Sequence, residues 1–178
     1  VQITGEPVER NLPVLVICNH VSWWDGFWVM YVNMRLFHRL FFFMMLEEKL
    51  DEFSFFKKCG GYPVRKGSRS ILESLQYTVE LLRDRNNLVL MFPQGEISSM
   101  HNQHFKFGHG IERIVSQVTG NIQVIFMANL VDYFSEKKPS LFIYLKEYHG
   151  NAEDAGKIEE HYNIFYSECV SGNIYKSL

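Results

Sequence analysis

Short apolar runs of strand length alternate along this chain with longer stretches of helical periodicity, and that alternation limits the fold more than any other feature. The runs are Val14 to Cys18, Leu40 to Leu46, Tyr62 to Val64, Leu88 to Phe92 and Val124 to Met127, with a further strand expected at Leu141 to Leu145. Between the third and fourth runs, Ile71, Leu72, Leu75, Val79 and Leu82 make one helical stripe. Ser70 with Glu73 reads as a capping box there, and Arg83 and Arg85 stand at the C-terminal end, where the dipole favours cations. Phe27 to Leu36, Gly110 to Val118 and Ala155 to Glu168 read as further helices. The pattern predicts an α/β fold, a mixed, mostly parallel sheet flanked by helices. At 178 residues the chain suits a single domain, 1–178.

Composition narrows the function. Lys and Arg total 18 against 20 for Asp and Glu, so no global basic field recruits nucleic acid. An aromatic share of 15% is high, and it suits either an aromatic core or a surface that receives acyl chains or touches a bilayer. Cys18, Cys59 and Cys169 form no CxxC pair, which points to a reduced, cytosolic-side protein. The longest apolar run, Leu40 to Leu46, falls far short of the roughly 18–20 residues that span a bilayer. No signal peptide is visible, and the chain opens on Val1, which leaves room for an upstream anchor or targeting segment.

The chemically suggestive residues fall just after apolar runs, where open α/β sheets place their ligand crevice. In "CNHVSWWDGFW", Cys18 to Trp28, a histidine is followed by an aspartate across four residues. One reading is structural: Ser22 caps a helix, Asp25 completes a variant capping box, and His20 is a loop residue. The other is catalytic: Asp25, in the helix's first turn, reaches back to fix the tautomer of His20 and makes it a general base. Both readings use the same geometry.

Asn19-His20-Val21-Ser22-Trp23-Trp24-Asp25 resembles the NHxxxxD signature of the glycerolipid acyltransferases, which include glycerol-3-phosphate and lysophosphatidic acid acyltransferases. The wax-ester-synthase type has three intervening residues and does not match. "GGYPVRKGS", Gly60 to Ser68, is similar to the family's second block, with Lys66 where arginine is usual and Arg65 before it. "FPQGEIS", Phe92 to Ser98, is similar to the third block, commonly FPEGTRS. There Gln94 replaces glutamate, Glu96 replaces threonine and Ile97 replaces the arginine that contacts the acceptor phosphate. "FKFG", Phe105 to Gly108, resembles the FKxG step, and "VIFMANL", Val124 to Leu130, lacks the fourth block's proline. The resemblance runs from about Ile3 to Leu130.

It implies a glycerol-3-phosphate acyltransferase-like fold and transfer of a fatty acyl group from a thioester, on coenzyme A or acyl carrier protein, to a lysolipid hydroxyl. No other cofactor is implied. His20 is the expected base, Asp25 its orienting partner, and backbone N–H groups near Gly95 the oxyanion donors. Arg65, Lys66 and Lys106 are expected on an anionic head, with Asn19, Phe92, Pro93, Gln94 and Glu96 also among the substrate contacts. Trp23, Trp24 and Trp28 are expected to line an acyl pocket. The lipid acceptor implies a peripheral place at the cytoplasmic face of a membrane.

Other constellations carry less. His101, His104 and His109 do not have a zinc framework's spacing, Ser22 and Ser98 lie outside any GxSxG elbow, and no GxGxxG or Walker loop is present. The sequence therefore predicts no metal and direct transfer without an acyl-enzyme.

Overall fold

Unbroken apolar runs are what strands buried on both faces require, and the computed structural model puts Val14 to Cys18 and Leu88 to Met91 side by side in the interior of one sheet. It describes residues 1–65, 70–118, 120–150 and 154–177. The strands are β1 (Gln2–Thr4), β2 (Val14–Cys18), β3 (Leu40–Leu46), β4 (Gly61–Val64), β5 (Asn87–Met91), β6 (Gln123–Asp132) and β7 (Ser140–Tyr148). Their order is β1-β7-β6-β2-β5-β3-β4. β6, β2, β5, β3 and β4 run parallel, and β7 returns antiparallel to β6. The fold is thus α/β with a mixed, mostly parallel sheet.

Period-two alternation sends neighbouring side chains of β2 to opposite faces. Leu15 and Ile17 join a core covered by α4 (Ser70–Leu81), α5 (His109–Val115) and α6 (Ala155–Ile174). Val14, Val16 and Cys18 join a second core under α1 (Asp25–Val32), α2 (Glu47–Glu52) and α3 (Phe55–Lys58).

Several boundaries differ from expectation. Ile71, Leu75, Val79 and Leu82 pack inward, but Leu72 is exposed, because it lies about 100° around the helix from Ile71. Ser70 is the first helical residue, and the position before it lies outside the described residues. The helix expected over Phe27 to Leu36 ends in a π-helical turn, Asn33–Phe37, where the Asn33 side chain bonds both main-chain groups of Arg39. α2 and α3 have no readable period, since they bury only Leu50 and Phe56. Gly60 has a steric reason: at φ +91°, a Cβ there would lie 1.8 Å from the Phe41 carbonyl oxygen.

The parallel strands set the geometry of the site. The loops after β2, β5, β3 and β4 leave the same sheet edge, bringing His20, the Phe92 to Ser98 segment, Glu47 and Arg65 to one rim of the molecule.

Candidate active site

β2 ends at Cys18, and Asn19 continues beside β6. The Asn19 amide donates to the Asn129 carbonyl at 3.0 Å and accepts from the Asn129 N–H at 2.8 Å. Asn19 is fully buried and ties the end of β2 to β6 behind His20.

Asp25 is also fully buried, as the first residue of α1. Its Oδ2 accepts from the N–H groups of Val21 (2.7 Å) and Ser22 (2.8 Å) and lies 3.0 Å from His20 Nδ1. The residue before the helix, Trp24, makes no side-chain cap; Ser22 Oγ instead accepts from the Trp24 N–H at 3.1 Å. Asp25 therefore serves both readings at once, satisfying backbone donors at the helix start and holding the histidine. A carboxylate only accepts, so Nδ1 carries the proton and Nε2 is left with a lone pair. The His20 side chain is 21% exposed, and its ring stacks on Phe92 at 4.0 Å and 9°. The imidazole is fixed on one side by a carboxylate and on one face by a ring, with Nε2 unpartnered among the described residues.

The turn after β5 is fastened to this histidine. Gln94 Oε1 accepts from the His20 N–H (2.8 Å), Gln94 Nε2 donates to Ser98 Oγ (2.7 Å), and the Ser98 N–H donates to the His20 carbonyl (2.9 Å). Gln94, expected on substrate, is thus a brace. An amide can accept from a backbone N–H and donate to a hydroxyl together, which a carboxylate cannot. Pro93 is likewise buried, and its carbonyl accepts from the Gly108 N–H at 2.8 Å. Gly95 closes the turn by donating to the Phe92 carbonyl at 3.0 Å, with φ +72°. A Cβ at Gly95 would meet nothing within 4 Å, so the demand for glycine is conformational. Its own N–H is therefore committed; in this turn the N–H groups of Gln94 and of the exposed Glu96 and Ile97 have no partner among the described residues.

Of the expected cations, Arg65 and Lys106 fall among the described residues. Arg65, just past β4, forms a two-point ion pair with Glu47 at the start of α2, and this guanidinium holds the Glu47 carboxyl below its ordinary value. β4 lies three strands from β2, about 14 Å at ~4.8 Å per strand. Lys66 lies outside the described residues. Lys106 is exposed between two residues hung on α6: the Phe105 N–H donates to Asn163 Oδ1 (2.7 Å) and the Phe107 N–H to Glu159 Oε2 (2.8 Å).

The three tryptophans lie on the aromatic side of the second core, where Phe27 meets Trp24 (5.6 Å) and Phe56 (5.6 Å), the ring that Trp23 also meets. Trp28 packs toward the core under α1, Trp23 stands edge-on to Phe53 (4.9 Å) and Phe56 (5.7 Å), and Trp24 is exposed. His101, His104 and His109 are exposed, and no cluster of three metal-ligating side chains occurs among the described residues.

The structure adds a residue that sequence reasoning passed over. Asn129, buried in β6, places Nδ2 3.4 Å from both Asp25 Oδ1 and Cys18 Sγ. Its signal was a single amide in the otherwise apolar "VIFMANL". Cys18, two residues before His20, is no rival nucleophile: burial, and then the nearby Asp25, push its thiol well above the ordinary value, so it stays protonated and inert at neutral pH.

Residues 1–132 match the model of the family described as Acyltransferase. The chain belongs to the acyltransferase family. The match ends at the last residue of β6 and includes His20, Asp25, Lys106 and Asn129. No curated protein matches the chain. As an acyltransferase it is an enzyme that transfers acyl groups, and its His20–Asp25 pair and the Phe92 to Ser98 turn meet at the C-terminal rim of the sheet. β7 and α6, which lie beyond the matched region, complete the scaffold that carries them.

Proposed function

We propose that this acyltransferase moves a fatty acyl group from a thioester, on coenzyme A or acyl carrier protein, directly to a hydroxyl of a lysophospholipid-like acceptor such as 1-acylglycerol-3-phosphate. The observation that carries the reading is the His20–Asp25 pair with Nε2 free. Nε2 takes the acceptor's hydroxyl proton as the oxygen attacks the thioester carbon. The imidazolium is stabilised by Asp25, and the tetrahedral oxyanion by the N–H groups of Glu96 and Ile97. Collapse breaks the C–S bond, and the departing thiolate takes the proton from His20. The thioester is a co-substrate, and the chemistry asks for no further cofactor. Proton transfer of this kind contributes about 10²–10⁴-fold.

Arg65, Lys66 and Lys106 are assigned to an anionic acceptor head. A second acceptor class, a glycolipid or aminolipid, is favoured by Glu96 and Ile97, which put an acidic and an apolar side chain where the resembled motif carries a threonine and a phosphate-binding arginine respectively. The three unpaired cysteines support action at the cytoplasmic face of a membrane. No described helix is long and apolar enough to cross one.

Thiol release from long-chain acyl-CoA and acyl-carrier-protein donors, with and without a lysolipid panel, tests this directly. Acceptor-dependent release that falls at least 10²-fold in His20→Ala is the expected result. Release without any acceptor identifies a thioesterase, and silence from folded protein across the panel rejects transfer in favour of lipid binding.

A further inference from the structure

β6 outruns its neighbour at the catalytic rim. Cys18, the end of β2, pairs with Met127, and β6 continues through Asp132 before the hairpin to β7. Those five extra residues carry the hairpin about 16 Å past the end of β2. At its tip Tyr133 is 57% and Phe134 40% exposed, and Phe134 stands at φ +45°, where glycine is the usual residue. Lys137 and Lys138 follow, both exposed and without an acidic partner among the described residues. Behind them Lys176 lies over the rings of Phe142 (4.7 Å) and Tyr144 (4.9 Å). On the other side of His20, Trp23 is 41% and Trp24 57% exposed.

The histidine thus lies between two exposed aromatic groups on one sheet edge, one of them with three lysines. The acids nearest to them in sequence are Asp132, whose carboxylate accepts from the Asn173 amide, Asp25, which is buried and held against His20, and the exposed Glu136. Exposed Trp, Tyr and Phe are the side chains that settle at the headgroup level of a bilayer, and lysines beside them favour an anionic one. We infer that this rim is a docking surface for an anionic lipid bilayer, with the Tyr133 to Lys138 hairpin on one side of the active site and Trp23 and Trp24 on the other. The surface rests on the reading of a lipid acceptor: docked this way, His20 faces the leaflet from which a lysolipid enters.

The test is sedimentation of the 178-residue chain with vesicles of phosphatidylcholine alone and of phosphatidylcholine with phosphatidylglycerol, at matched salt. Two double variants are compared with the parent. Lys137→Gln with Lys138→Gln loses about 30-fold in binding to the anionic vesicles and is unchanged on the neutral ones, from ~1 kcal/mol per basic side chain at such a surface. Tyr133→Ser with Phe134→Gly loses binding to both. His20→Ala sediments as the parent does. A parent that ignores vesicles, or variants that sediment like it, overturns the proposal. So does a lysine variant that loses affinity for an acidic acyl carrier protein while keeping its vesicle binding. Vesicle binding that follows these expectations in a protein without acyl transfer would sink the catalytic reading and leave the surface standing.

Discussion

On the proposed mechanism, the buried Asn129 acts through Asp25 as a positioning residue. Its Nδ2 lies 3.4 Å from Asp25 Oδ1, while its own Oδ1 is buried with no partner among the described residues. An unpaired buried carbonyl costs about 1–3 kcal/mol, so stability alone would be served as well by leucine. What leucine cannot do is donate to Asp25 and hold the carboxylate at the angle His20 needs. Asn129→Leu should therefore remain folded, with stability within about 2 kcal/mol of the parent. Its kcat should fall about tenfold, the cost of losing ~1.4 kcal/mol of positioning, while KM for acceptor stays the same. Steady-state kinetics beside urea denaturation separates this from a structural role, which would move stability and leave kcat alone.

At the scale of elements, α6 decides where Lys106 stands. Asn163 holds Phe105 at both main-chain groups, accepting from its N–H at 2.7 Å and donating to its carbonyl at 2.9 Å. Phe105 itself is buried against Tyr162 and Tyr166 of the same helix. Asn163→Ala strands a backbone donor and acceptor with restricted access to water, so destabilisation of about 1–3 kcal/mol is expected from urea unfolding. KM for an anionic acceptor should rise with it. None of this was legible, because the partners are 58 residues apart and nothing in "EEHYNIF" signals a neighbour. Val14–Cys18 and Leu40–Leu46 have the bounds that the apolar pattern predicts. The first was legible because burial on both faces leaves no polar residue to interrupt the run, and the second, of which only Phe43 is buried, because its seven residues are all apolar. β1 and α2 were not, since a three-residue edge strand and a helix with one buried leucine carry too little apolar patterning to read. At the site, His20 and Asp25 were legible as a local pair. The brace of Gln94 on His20 depends on strand order and could not be seen before the sheet was assembled.

At the scale of the whole molecule, the two cores contain ionisable groups that the fold keeps neutral, and this sets its alkaline limit. Burial raises Cys18 well above its ordinary 9.0 and pushes Cys169 up to about 12. It likewise raises Tyr62 and Tyr162 above the ordinary 10.0 and pushes Tyr166 up to about 12. In the unfolded chain these thiols and phenols would release their protons near 9.0 and 10.0. Above those values the native state binds more protons than the unfolded one, so stability falls as pH rises. Below about pH 9 both states are protonated and the groups contribute no slope. The loss should begin near pH 9 with the cysteines, steepen past pH 10 as the tyrosines join, and for Cys169 and Tyr166 end near pH 12. Each such group adds about 1.4 kcal/mol per pH unit while it is ionised only in the unfolded chain. Urea midpoints measured from pH 7 to pH 11 test the claim, with Cys169→Ala as the control whose slope above pH 9 should be shallower by one group's share. A midpoint that stays level to pH 11 would mean that water reaches these side chains and that the aromatic core is looser than its packing implies.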